Sequence, residues 1–107
     1  MRRVFLDENV DLALSAALVG FEVESVRSLG LSGISNGELI ARIEKDFDVF
    51  ISHDRGLPHQ QQWSGRDLAC IVLDSRSTRF ASYNEGLQVL VDAVNGASPG
   101  SVQVLKL

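Results

Sequence analysis

The chain has 107 residues, a formal net charge of -4 at neutral pH, and 45% apolar against 22% charged residues. That length suits one compact domain spanning residues 1–107, and the composition is that of a globular chain and not of a disordered tail. No apolar run approaches the roughly 20 residues of a membrane span, and a surplus of 14 acids over 10 bases argues against a simple basic sleeve for nucleic acid.

Arg3 to Leu6 is a short apolar run ending in acids, which predicts a buried strand. Asn9 is placed to cap a helix reaching to about Val19, with Val10, Leu14, Ala17 and Leu18 on one face and Gly20 as its stop. Phe21, Val23 and Val26 predict a second strand, and Gly30 and Gly33 mark the loop after it. Ser35 opens a second helix whose buried stripe is Leu39, Ile40, Ile43 and Phe47. Val49 to Ser52 is a third strand. His53 to Gly65 is a polar connection holding Pro58, with room for a helical turn. Leu68 to Leu73 is a fourth strand, and Tyr83, Leu87, Leu90, Val91 and Val94 mark a third long helix. After the turn signals Asn95-Gly96 and Pro99-Gly100, Val102, Val104 and Leu105 give a closing strand.

Strands alternating with helices predict an α/β fold of three layers on a mostly parallel sheet. The expected strand order is 2-1-3-4, with the fifth strand at an edge or antiparallel. Cys70, the single cysteine, has no partner for an internal disulfide. With acids at Asp7, Glu8 and Asp11 where a signal peptide needs an apolar core, the expected setting is the cytoplasm.

In such a sheet ligands bind beyond the carboxyl ends of the strands, at the point where the strand order reverses. The predicted order sends Asp7, Glu8, Glu38, Asp54 and Asp74 to that pole. Clustered carboxylates repel unless a cation intervenes, and oxygen-only ligands suit Mg²⁺ or Mn²⁺. Eight of the ten basic residues are arginine, the residue that grips phosphate through a planar fork. Arg27, Arg55, Arg76 and Arg79 all fall in loops leaving strand carboxyl ends. Several of these residues also have plain structural uses. Ser35-x-x-Glu38 is a capping box, Asn36 suits a helix start, Asp74 suits a turn, and Glu8 suits solvent. Trp63 can stack a base or pack on the core edge, Cys70 sits mid-strand in the core, and His53 and His59 are weaker metal or substrate candidates.

The run Val4-Phe5-Leu6-Asp7-Glu8-Asn9 resembles the "LLDEN" start of compact PIN-like domains. Val26-Arg27-Ser28-Leu29-Gly30-Leu31 with Ser35-Asn36-Gly37-Glu38-Leu39 is similar to the "VR-LG-x-G…NGEL" block of one branch. Phe47-Asp48-Val49 to Ser52-His53-Asp54-Arg55, followed by Leu57-Pro58-His59-Gln60-Gln61, resembles its "FDVLxTxDRNLPxQQN" signature. The similarity runs through nearly the whole chain and rests on the order and spacing of motifs that are individually short. It implies a PIN-like fold related to VapC-type ribonuclease toxins. It further implies Asp7, Glu38 and Asp54 as catalytic acids holding Mg²⁺ or Mn²⁺, with Asn9, Asn36 and Arg55 as motif neighbours. Arg27 joins them as a substrate-binding candidate. The chain departs from the pattern at Gly56, where this branch usually has Asn and related branches have a second Asp, which thins the acid set, and at Gln62, where Asn is usual.

The leading expectation is thus a metal-dependent endoribonuclease, the toxin of a type II pair, with a small antitoxin as partner, RNA as substrate, no membrane, and a homodimer as one possible assembly. A catalytically weak or inactive PIN-like binding protein is the main alternative. A phospho-receiver-like module is a third reading, with Asp7-Glu8 as the acidic pair, Asp54 as acceptor and Lys106 as the only lysine near the end of the chain.

Overall fold

Three apolar runs, Arg3–Leu6 (β1), Val49–Ser52 (β3) and Ala69–Asp74 (β4), and the more polar Glu22–Ser25 (β2) become strands in the computed structural model, which describes residues 1–107. With Val102–Lys106 (β5) they form one sheet in the order β2-β1-β3-β4-β5, and every neighbouring pair is parallel. The expected order therefore holds, and the fifth strand is at the edge and parallel. Parallel pairing forces each connection across a face of the sheet. Those crossings carry the helices Ala13–Ala17 (α1), Asn36–Ile43 (α2), Leu57–Gln60 (α3) and Leu87–Gly96 (α4).

The pleat sends alternate side chains to opposite faces. Val4, Leu6, Val49, Ile51, Ile71 and Leu73 enter one core, with Leu14 and Leu18 of the α1 region and Leu90 and Val94 of α4. Phe5, Phe50, Cys70 and Val72 enter the other, beneath Leu39, Ile40 and Ile43 of α2, Leu57 of α3 and Trp63. These are the three layers. Trp63 is core, as its structural use required: its Nε1 donates to the Leu57 carbonyl at 3.1 Å and its ring stacks on Phe50 at 6.3 Å. Cys70 is buried, and burial first, then the charges of Asp7 and Asp54, pushes its thiol up to about 12.

Two expectations fail at helix starts. Asn9 does not cap α1, which begins four residues later without a side-chain cap on Leu12. The Asn9 side chain is taken instead by the end of β3. The third helix starts at Leu87, and Tyr83 lies between two 3-10 turns, Phe80–Ser82 and Asn84–Gly86. There Asp11 fixes the chain: its Oδ2 accepts from Phe80 N at 2.9 Å and its Oδ1 from Ala13 N at 3.0 Å. Those two bonds hold the Asp11 carboxyl below its ordinary value. Ser35 does cap α2, its Oγ accepting from Glu38 N at 3.4 Å. No helix is long and apolar enough to cross a membrane.

Candidate active site at the carboxyl ends of the strands

β1 lies between β2 and β3, so the chain leaves β1 toward one side of the sheet and returns on the other. The strand order reverses there, and the crevice outside the carboxyl ends of β1 and β3 is the natural ligand position. Asp7 directly follows β1, and Asp54 lies two residues past the end of β3.

Ser52, the last residue of β3, joins them. Its hydroxyl is fully buried and stands 2.6 Å from Asp7 Oδ2. A hydroxyl has one proton, and this shortest contact takes it. The same oxygen then accepts from Asp54 N at 3.0 Å and from Asn9 Nδ2 at 3.3 Å. That orients the Asn9 amide so that its Oδ1 accepts from His53 N at 3.0 Å. The second Asp7 oxygen, Oδ1, accepts from Glu8 N at 2.8 Å, and Asp54 Oδ1 accepts from Gly56 N at 2.8 Å. One buried serine hydroxyl thus ties two carboxylate-bearing loops and an asparagine into a single fixed unit.

The other candidates stand around this unit without joining it. Arg55 is ion-paired with Asp74, so one expected phosphate ligand is held by one expected acid. Glu38 is on the exposed surface of α2 and faces Arg42 at 3.7 Å. Asn36 opens α2; a side chain at its neighbour Gly37 would come 3.6 Å from Gln61 Oε1, so the α2 start borders the end of α3. Arg27 lines a hollow beside Asp7. The acids share a pole but not a cage: no three His, Cys, Asp or Glu side chains stand close enough together to hold a metal ion.

A smaller donor set does suit a hard divalent cation. Mg²⁺ commonly binds through one or two carboxylates plus substrate phosphates and keeps several waters, rather than entering an all-protein cage. Asp7 and Asp54 supply two oxygen ligands of that kind, and Asp54 Oδ2 receives no hydrogen bond from the protein. The residues present fit a cation held by two carboxylates and a phosphate.

Reading the sequence missed Ser52, although a polar residue closing an otherwise apolar strand was its visible signal. It also gave His53 no structural place. The His53 ring meets Tyr83 edge to face at 5.6 Å, and His53 Nε2 and Tyr83 Oη are both buried without a hydrogen-bond partner. Burial holds the His53 imidazole below its ordinary value, opposed by the Leu73 carbonyl and the Asp7 charge, and pushes the Tyr83 phenol up to about 12.

No family model matches the chain, and no curated protein and no solved structure matches it.

Proposed function

We propose that this chain is a metal-dependent endoribonuclease of PIN-like type, the toxin of a type II toxin–antitoxin pair. The observation that carries the reading is the Asp7–Ser52–Asp54 unit at the reversal point of the sheet. The motif order described above adds the family resemblance.

Asp7 and Asp54 would hold Mg²⁺ or Mn²⁺, with Glu38 reaching in from the start of α2 as the third acid that the resemblance implies. The cation would supply Lewis acidity at the phosphate oxygens and lower the pKa of a bound water. The chain's own residues do the rest. Ser52, itself held by Asn9, fixes the Asp7 carboxylate and the Asp54 backbone, and Gly56 N fixes the Asp54 carboxylate, so little reorganisation would accompany substrate binding. Asn36, at the helix start, and Arg55 are the substrate-binding neighbours that the resemblance implies. Released from Asp74, Arg55 would offset charge developing on the phosphoryl oxygens. In-line attack by hydroxide at phosphorus leaves a 5′-phosphate and a 3′-hydroxyl. A free nuclease of this kind damages its own cell, which is the reason to expect a small antitoxin and a cytoplasmic location; a homodimer is compatible with both.

The test is induced expression of the wild type against Asp7→Asn, with RNA integrity and growth as readouts. Cleavage in Mn²⁺ by the wild type and its loss in Asp7→Asn support the reading; equal toxicity of the two sinks it. A catalytically inactive PIN-like binding protein is favoured by one observation, that Glu38 and Asp74 are each engaged by an arginine. Calorimetry finding no Mn²⁺ binding would select it. The strand order also suits a phospho-receiver-like module, and labelling of Asp54 by acetyl phosphate would select that.

A further inference from the structure

Four of the eight arginines are engaged by carboxylates: Arg3 with Glu22, Arg42 with Glu38, Arg55 with Asp74 and Arg66 with Glu44. Arg2, Arg27, Arg76 and Arg79 are not. Two of these four, Arg27 and Arg79, line the same cleft, about 340 Å³ in volume, that opens beside Asp7. Arg27 comes from the loop after β2 and Arg79 from the loop after β4, so residues 52 apart in sequence face one hollow. Ser25 and Thr78 add hydroxyl groups to it.

Three acids, Asp7, Glu8 and Asp11, share the cleft with these cations, and none of them forms an ion pair with Arg27 or Arg79, although Asp11 feels the charge of Arg79. Both oxygens of Asp11 accept backbone N–H groups, from Ala13 and Phe80, which brackets the loop carrying Arg79 against the loop after β1. Both oxygens of Asp7 are likewise engaged, by Glu8 N and the Ser52 hydroxyl. Arg27 further belongs to a second hollow of about 400 Å³ whose wall includes Leu12 and Val23, so the cleft continues along the β2 edge past a guanidinium. A volume near 340 Å³ lies at the lower end of the ~300–1,000 Å³ of small-molecule sites.

We infer that this cleft is a phosphate subsite for single-stranded nucleic acid, in which Arg27 and Arg79 grip the phosphodiester next to the one positioned at Asp7 and Asp54. The inference rests on the ribonuclease reading and adds the direction in which the strand leaves the reacting phosphate, toward β2. A guanidinium fork matches a phosphate through paired N–H donors.

The test is binding, not cleavage. A short fluorescent single-stranded RNA is titrated into the Asp54→Asn protein in Mg²⁺ at several salt concentrations. The same background carrying Arg27→Gln, Arg79→Gln, both, or Arg2→Gln is compared. Arg2 precedes β1 at the opposite end of the sheet and serves as the charge control. Each cleft substitution is expected to weaken binding several-fold and to reduce the slope of log K against log salt by about 0.7, with the double variant losing about twice that. Arg2→Gln is expected to change neither. Equal losses are expected on DNA of the same sequence, because the grip reads phosphate and not the 2′-hydroxyl. Unchanged affinity and slope in the double variant overturn the inference, even if the wild type cuts RNA. Slope losses in a protein whose wild type cuts no RNA keep the cleft and remove the ribonuclease reading. No RNA binding by any variant removes both.

Discussion

The two ends of the sheet carry hollows of similar size and opposite character. At the amino ends of the strands a hollow of about 370 Å³ is walled by Glu44, Lys45, Gln62, Ser64, Gly65, Arg66 and Asp67. Its arginine and one of its two acids are satisfied internally. Arg66 is ion-paired with Glu44 and donates from Nε to the Gln62 carbonyl at 2.6 Å, and both partners are about three-quarters covered. Nearby, Arg3 donates to the Asp46 carbonyl and pairs with Glu22, while Asp48 Oδ2 accepts from Arg3 N at 2.8 Å. At the carboxyl ends, the carboxylates are fixed by backbone N–H groups and one serine, and two guanidinia are left facing a cleft. A charge that is paired within the fold contributes to holding it together. A charge that is positioned and left unpaired is available to a ligand. The contrast, more than the number of acids, distinguishes the candidate functional pole.

Breaking that contrast at the carboxyl end should have the largest effect. Asp7→Asn should lower Mn²⁺-dependent RNA cleavage by on the order of 100-fold or more, because a neutral amide ligates a hard cation poorly; cleavage of a labelled RNA under single-turnover conditions measures it. Within tenfold of wild type, the carboxyl pole would be no more chemical than the amino pole. Ser52→Ala should affect both ends of the argument, since it leaves Asp7 Oδ2 and Asp54 N without their shared buried partner. We expect a loss of about 1–3 kcal/mol in urea unfolding, together with slower cleavage.

At the amino end, Arg66→Gln should cost about 1–2 kcal/mol through the part-buried pair with Glu44 and leave any RNA cleavage unchanged. A drop in cleavage at equal stability would erase the distinction between the poles.

Alkaline unfolding tests the burial beneath the site. Cys70 and Tyr83 are both pushed up to about 12, from ordinary values of 9.0 and 10.0, chiefly by burial. Between those values and 12 the unfolded chain releases protons that the fold retains. Stability is therefore full below pH 9 and falls as pH rises toward 12. Tyr83→Phe should flatten part of that fall, and at neutral pH it should be neutral or stabilising because it removes a buried hydroxyl with no partner. Urea melts across this pH range measure both, and a Tyr83→Phe protein markedly less stable at pH 7 would contradict the orphan hydroxyl.

The smallest effect is expected at Glu38. Its carboxylate faces Arg42 on an exposed helix surface, so Glu38→Gln should change stability by less than about 0.5 kcal/mol. Its effect on cleavage should be smaller than that of Asp7→Asn; an equal loss would bring α2 into the metal set.

Much of the fold is legible locally. The three central strands are short apolar runs and the two edge strands alternate apolar and polar residues, and parallel order follows from the helices between them. Ser35 caps α2 because the residues it serves lie within one turn of it. The failures share a cause. Asn9 has the local chemistry of a helix cap, yet the backbone of His53, 44 residues away, outcompetes the nearby helix for its carbonyl oxygen. Tyr83 fits a helical stripe, yet Asp11 fixes Phe80 and the chain passes Tyr83 in 3-10 turns. In each case a polar side chain is claimed by a partner that periodicity cannot see.

The candidate site divides along the same line. The sequence alone determined which acids stand at strand ends, because a side chain's position along a strand is a matter of counting, and the motif order pointed to Asp7, Glu38 and Asp54 together. Only the tertiary structure decided how they are engaged: Asp7 and Asp54 through Ser52, Glu38 toward Arg42, Asp74 toward Arg55, and Arg27 and Arg79 across one cleft. The physical reason is range. Strand and helix signals arise between residues a few positions apart, whereas hydrogen bonds and ion pairs at the end of a parallel sheet join loops that come together only once every strand is in register.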